Sequence, residues 1–172
     1  MKGYVVMKET DIAYIAGLVD GEGYIGIKRS NCRKDCVNPS YQARIQIRMV
    51  DEPVIKFIAE TLGGWYYKEK PSAAKGRPLF CYQASDKCAA NILEILLPYL
   101  RVKKESAIAV LNLRKLQSES KKHRTKIVGY RDFPNSHGII RKVPNLAYSD
   151  EYIESCETLW NLCKQLNKVG ID

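Results

Sequence analysis

The sequence predicts an α+β domain with the element order α-β-β-α-β-β-α around an antiparallel sheet, followed by extra C-terminal helices. Three observations carry this expectation. Two pairs of period-two segments, YIGIKR with YQARIQIRM and WYYKEK with LFCYQAS, each flank a polar or turn-rich loop, as antiparallel hairpins do. Segments with helical spacing and end signals stand before, between and after these pairs. The 172 residues, 45% apolar and 27% charged, suit one globular core and argue against a disordered, collagen-like or coiled-coil chain. We therefore expect a single domain over 1–172, with a core at about 10–117, a basic loop at 118–148 and a C-terminal helix at 149–168.

Taken in order, DIAYIAGLVDG (Asp11 to Gly21) is short and glycine-bounded, and its apolar residues cover most of a helical surface. A helix buried nearly all round is expected there. Tyr24 to Arg29 and Tyr41 to Met49 follow as strands. In the second, Ala43, Ile45, Ile47 and Met49 share one face, and Gln42, Arg44, Gln46 and Arg48 share the other. Asp51 is placed to cap a helix over Glu52 to Leu62, with Pro53 in its first turn and Gly63-Gly64 as its stop. Trp65 to Lys70 and Leu79 to Ser85 form the second hairpin across PSAAKGRP. Ser85 can then cap a helix from Asp86 to about Leu97, which Pro98 interrupts. A further helix runs beyond Lys103 to about Gln117. The last one opens at Ser149 with Asp150 and Glu151 in its first turn, and carries Lys164 and Lys168 near its end, as the helix dipole favours.

Lys and Arg number 28 against 19 Asp and Glu, and the excess is concentrated: twelve basic and three acidic residues lie between Arg101 and Pro144. One basic segment on a folded domain favours a nucleic-acid partner, because neutralising phosphates releases counterions whatever the base sequence. The sequence holds no apolar run long enough to span a bilayer and no signal-peptide core after Met1-Lys2-Gly3-Tyr4. We expect no membrane partner and an intracellular, cytoplasmic protein, or an organellar one in a eukaryotic host. The six cysteines contain no C-x-x-C pair, and His123 and His137 complete no zinc pattern. Cys156 and Cys163 read as buried helix residues. Cys32 and Cys36 are the one pair placed for a disulfide.

The segment YIAGLVDGEGYI concentrates the chemistry. Ala13, Gly17 and Gly21 form a stripe without side-chain bulk, along which another helix can approach closely. Asp20 and Glu22 lie where helix gives way to strand, so the Gly21 carbonyl and the Glu22 carboxylate can offer hard oxygen ligands to one divalent cation. Taken alone, DGEG also reads as an acidic turn with glycine caps. Alternation along the four strands nominates a polar face of Tyr24, Lys28 and Ser30; Gln42, Arg44, Gln46 and Arg48; Tyr66, Lys68 and Lys70; and Cys81, Gln83 and Ser85. Arg and Gln on such a face can make paired hydrogen bonds to guanine and adenine edges. A solvated sheet face is the other reading.

YIAGLVDGEGYI resembles the signature of the LAGLIDADG homing endonucleases, one repeat of which has the element order given above. Leu97-Pro98-Tyr99-Leu100-Arg101-Val102-Lys103-Lys104 is similar to the family's Pro-aromatic-Leu-x-x-Lys segment, and Leu62-Gly63-Gly64 falls where the family ends its second helix. The resemblance covers roughly residues 10 to 115. The sequence has no second copy of the motif, so the resemblance implies the single-motif subgroup. That subgroup acts as a C2 homodimer with motif helices side by side, which assigns Ala13, Ala16, Gly17, Asp20 and Gly21 to the dimer contact. It further implies Mg2+ or another divalent cation at Glu22 and Gly21, with Glu where members often have Asp. Lys103 would be the basic residue near the catalytic site, and Gln46 or Arg48 the polar residue at the end of the second strand. The implied function is an intron-encoded homing endonuclease that cuts both strands of a long, near-palindromic double-stranded DNA site by metal-dependent phosphodiester hydrolysis. The strand faces would read the major groove, and the segment from Ser118 to Pro144 would grip phosphates. An RNA-binding intron maturase and a catalytically inactive DNA-binding regulator on the same fold are the alternatives.

Overall fold

A computed structural model describes residues 7–31, 37–70, 76–134 and 140–168. The elements run α1 (Glu9–Glu22), β1 (Gly23–Ser30), β2 (Ser40–Met49), α2 (Glu52–Leu62), β3 (Trp65–Glu69), β4 (Leu79–Ser85), α3 (Asp86–Leu96) and α4 (Lys104–Ser118). A short 3-10 turn (Ser120–His123), β5 (Arg124–Pro134), β6 (Ile140–Tyr148) and α5 (Asp150–Leu166) complete the chain. The expected α-β-β-α-β-β-α core is present. Its two hairpins join through their second strands, giving one antiparallel sheet in the order β1-β2-β4-β3.

Every second residue of the central strands is apolar, and this sets which face the helices cover. Ile25, Ile27, Ala43, Ile45, Ile47, Tyr82 and Ala84 form a continuous buried layer against Ile15 and Val19 of α1, Ile58 of α2, Leu93 of α3 and Val110 of α4. Each such aliphatic side chain, fully withdrawn from water, contributes about 1.5–3 kcal/mol. Asp51 caps α2 as expected, accepting from the Val54 N–H at 3.1 Å. Gly63 and Gly64 then adopt φ of 74° and 101°, a left-handed region that stops the helix and turns the chain into β3. Ser85 stands at the N-cap of α3 without a side-chain cap bond. It still belongs to β4, paired with Arg44, and the chain enters α3 through Asp86 at φ 51°.

Gly23 is a position where only a glycine fits. α1 passes into β1 with no loop, and a Cβ built on Gly23 would stand 2.7 Å from the Val19 carbonyl oxygen and 2.8 Å from its Cα. Both obstacles are backbone, so neither can swing aside. The outer side of α1 departs from the expectation of all-round burial. Ile15, Ala16 and Val19 are buried, whereas Ala13, Tyr14, Gly17 and Gly21 remain exposed in the single chain.

The segment 118–148, expected as a basic loop, is largely a two-stranded antiparallel ribbon, β5 with β6. Nearly all of its residues are exposed on both faces, Ala147 near the base being buried. With no core to face, its strands show no apolar alternation, and that removes the signal by which a strand is read from sequence. Cys156 and Cys163 are buried free thiols in α5, as expected; Cys32 and Cys36 lie outside the described residues. No helix among the described residues is long and apolar enough to cross a membrane.

α5 returns along β1 and α4, and its Glu157 carboxylate ties it to both strands of the first hairpin. Glu157 accepts from Arg29 Nε and from the Tyr41 hydroxyl, both at 2.6 Å, while the Arg29 guanidinium lies 5.5 Å from the Trp160 ring centre. Burial alone would raise the Glu157 carboxyl, but these hydrogen bonds outweigh it and hold it below the usual glutamate range. A depressed carboxyl stabilises the fold above its unfolded value of about 4.3, and that contribution is lost as pH falls through the lower folded value. Urea titrations from about pH 6 down to about pH 3 should therefore show a loss of stability that Glu157→Gln diminishes. Gly23→Ala, measured by thermal unfolding, should lose about 1–3 kcal/mol through backbone overpacking.

Candidate active site

The α1 terminus is built by a reciprocal clamp. α1 has no basic residue in its own last turn, so its C-terminal carbonyls and their partial negative charge must be answered from elsewhere. Lys103, just ahead of α4, does this: its Nζ donates to the Val19 carbonyl at 2.9 Å and to the Asp20 carbonyl at 2.7 Å. In return the Asp20 carboxylate accepts from the backbone N–H of Arg101 at 2.7 Å and of Lys103 at 2.9 Å. Burial pushes the Lys103 ammonium below its ordinary value, against the opposing pull of the Asp20 and Glu22 charges. Lys103 and Glu22 thus share one electrostatic neighbourhood. With two of three ammonium protons engaged, one N–H remains.

Glu22 is exposed, and it has no hydrogen-bond or ion-pair partner among the described residues. It ends the helix as a solvent-facing carboxylate, the kind of hard oxygen donor that a divalent cation takes. The donor set of the Glu22 carboxylate and the Gly21 carbonyl is all oxygen, which suits Mg2+ or Ca2+ rather than a thiophilic metal. Among the described residues no group of three His, Cys, Asp or Glu side chains could hold an ion unaided. The other ligands would be water and the oxygens of a bound substrate.

The exposed stripe on α1 is open. A side chain built at Gly17 or Gly21 would meet nothing within 4 Å, so neither glycine is required by its own chain. Ala13 and Tyr14 continue the stripe toward the helix start. The other two residues expected at a dimer contact are engaged within their own chain. Ala16 has 0% exposure and is part of its own core, with no surface to offer a second copy. The Asp20 carboxylate is engaged by the turn before α4.

Strand register fixes the outward face of the sheet, opposite the buried layer. Tyr24, Gln46, Gln83 and Trp65 form one row across all four strands. Arg48, Cys81 and Tyr67 form a second, Arg44 and Ser85 a third, and Lys28 with Gln42 a fourth. Ser30 pairs with Ser40 at the far end of β1. The side chains hold one another. Arg44 donates to Gln83; Arg48 Nε lies 3.0 Å from Glu69 Oε1; Gln42 donates to Asp86 at 3.1 Å. Gln46, at 8% exposure, has its amide wedged between Arg48 and the Cys81 thiol.

β3 is the strand whose facing alternation alone misassigns. Tyr66 pairs with Tyr82 and Lys68 with Phe80, which puts both on the helix-covered side. There Tyr66 stacks on Phe80 at 6.4 Å and donates to Glu52, and the Lys68 ammonium lies 5.9 Å from the Phe80 ring centre. Lys70 is exposed just past the strand end. The outward residues are instead Trp65, 74% exposed, with Tyr67 and Glu69. WYYKE has no wholly apolar side, so its period-two pattern carries no direction. The direction comes from β4, where Phe80, Tyr82 and Ala84 are plainly inward, combined with the hairpin register.

The LAGLIDADG endonuclease family model matches residues 15–109. No curated protein sequence matches this one. Among solved structures, the fold is similar to the homing endonuclease I-CvuI in complex with its target in the presence of calcium, at TM-score 0.64 and 19% identity, over 91% of this chain and 82% of that one. It is also similar to the archaeal intron-encoded homing endonuclease I-Vdi141I complexed with DNA, at TM-score 0.59 and 15% identity, over 93% and 84%. The group I intron-encoded homing endonuclease I-CeuI complexed with DNA is a third, at TM-score 0.56 and 10% identity, over 70% and 61%. At these identities the solved structures speak for the fold. The matched segment runs from the last two turns of α1 into α4, more than half of the chain, and by it this protein belongs to the LAGLIDADG endonuclease family.

Proposed function

We propose that the protein is a site-specific homing endonuclease that cuts both strands of a long, near-palindromic DNA site as a C2 homodimer dependent on Mg2+. One observation carries this reading: Glu22, exposed and unpartnered among the described residues, ends a helix whose outer stripe is bare of side-chain bulk and opens onto the polar face of the sheet. Two such helices packed along Ala13, Gly17 and Gly21 bring two Glu22 carboxylates to one two-fold axis, one for each strand. Neighbouring structures are of DNA complexes, which supports duplex DNA as the substrate.

The chain's own residues divide the work. Trp65, Tyr67, Arg44 and Gln83 lie against base edges in the major groove and set the site and register, while buried Gln46 braces the row from within. Glu22 and the Gly21 carbonyl would hold the cation, which when bound would polarise the phosphate and stabilise the leaving 3′ oxygen. The remaining Lys103 N–H is available to the same phosphate, where its charge would stabilise the transition state. Asp20 serves the clamp and through it the position of Lys103.

Glu22→Gln should abolish cleavage of a randomised long-target plasmid library, at least a hundredfold by loss of an electrostatic group, while leaving DNA binding and the thermal midpoint in place. Sequencing of the wild-type ends should return one near-palindromic site, cut only with a divalent cation. Cutting that survives Glu22→Gln would overturn the assignment of the metal-binding acid. Specific DNA binding without any cutting would identify a regulator instead, and binding of intron RNA alone a maturase. Lys103→Met should act differently from Glu22→Gln, lowering both cleavage and stability, because the α1 carbonyls lose charged hydrogen bonds worth about 1.5–3 kcal/mol each.

A further inference from the structure

The β5–β6 ribbon is the part of the molecule that neither the core nor the catalytic end explains. It leaves the body at the far end of the β1–β2 hairpin from Glu22. The Tyr148 N–H donates to Asn38 Oδ1 at 3.0 Å, and Val37 and Asn38 face Arg124, Val128 and Tyr148 across a shallow cleft of the surface. The base is fastened again by Ser149 N–H to the His123 carbonyl at 2.8 Å and by Lys126 to Asp150 at 2.9 Å. Beyond that base, every described residue from Tyr130 to Pro134 and from Ile140 to Asn145 is exposed except half-buried Val143. Eleven residues of β5, at about 3.3 Å each, make an arm of considerable reach.

Register sorts the arm into two unlike faces. Arg131 lies across from Val143 and Phe133 across from Arg141, so one face carries two arginines and an aromatic with no acid between them. On the other face Lys142 lies across from Asp132, which offsets its charge, between Tyr130 with Pro144 and Ile140 with Pro134, so the two faces differ in net charge while both expose apolar side chains. A buried arm would not hold unopposed arginines, and a solvated arm gains nothing from Phe133 at 57% exposure. A two-stranded ribbon is a shape that a DNA groove admits; arginines on one face meet the phosphates of the groove walls, and an apolar side chain meets sugars or base edges within.

We propose that this arm is a second DNA-binding element, which grips duplex flanking the cleavage site through the face bearing Arg131, Phe133 and Arg141. The inference rests on the endonuclease reading: with α1 at the two-fold axis, the far end of the β1–β2 hairpin is where the duplex leaves the sheet. Each arm then lengthens the footprint outward without touching the central bases. The contacts are to backbone and shape, so they add affinity with little base preference.

The test compares binding to the selected site on a long duplex and on a duplex trimmed to the sheet-covered core, for wild type, Arg131→Gln/Arg141→Gln, Phe133→Ser and Lys142→Gln. The expected result is tighter wild-type binding to the long duplex. That advantage disappears in the double-arginine variant, whose salt-dependence slope falls by about 2 per protomer, and shrinks in Phe133→Ser. Lys142→Gln, on the opposite face, keeps the advantage. All four should share the wild-type thermal midpoint and cut the trimmed site alike, since the altered side chains are exposed and remote from Glu22. A wild type indifferent to flanking length, or a double variant that retains the preference, overturns the proposal while cleavage stands. Loss of self-association in place of length preference makes the arm a protein contact and overturns it too. If the wild type binds and cuts no duplex, the endonuclease reading itself fails and takes this one with it.

Discussion

The exchange between Asp20 and Lys103 holds the rest of the site in place. A helix that ends directly in a strand leaves carbonyls with no turn to satisfy them, and Gly23 allows that abrupt passage only because it has no Cβ. Lys103 satisfies the carbonyls with its ammonium, and Asp20 satisfies the N–H groups of the turn that delivers Lys103. Each partner therefore fixes the other, across some eighty residues of sequence. What this frees is Glu22: with the helix end neutralised by Lys103 and Asp20 committed elsewhere, one carboxylate is left pointing at solvent.

The same arrangement explains why the active end and the recognition face are rigidly related. β1 begins at the residue after Glu22, β2 pairs with β1 from Gly23 to Ser30, and β4 pairs with β2, so the rows of outward side chains are in register with the helix terminus. No loop intervenes between the acid and the first row. Under the proposed function, a base step read by the sheet and a phosphate met by Glu22 are thereby held at a fixed offset, which is what cutting at a constant position within a site requires.

Much of this was legible in the sequence, and the failures have a common cause. Alternating Ala43, Ile45, Ile47 and Met49 gave β2 its two faces because one side is purely apolar, and the Asp51 cap and the Gly63-Gly64 stop marked α2 by local chemistry alone. The motif singled out Glu22 and Lys103, and the structure puts Lys103 against the end of the helix that Glu22 closes. Where neither side of a segment is apolar, the reading lost its direction: WYYKE was turned over, and the ribbon from Arg124 to Tyr148 passed for a loop. Ala16 was assigned outward because a helix rich in small residues shows two plausible faces, and only packing against the sheet chooses between them. Asp20 and Lys103 meet through tertiary contact that no spacing encodes.

The pairing of recognition side chains across strands carries an evolutionary consequence. Arg44 is held by Gln83 and Arg48 by Glu69, so each arginine's direction is set by a residue on a different strand. Substituting one member leaves its partner without a guide, and the effects of two such changes cannot add. Under the proposed function, a lineage drifting toward a new host sequence would therefore cross valleys at single steps and advance by compensated doubles. Close relatives with altered specificity should differ at 44 with 83, and at 48 with 69, in tandem.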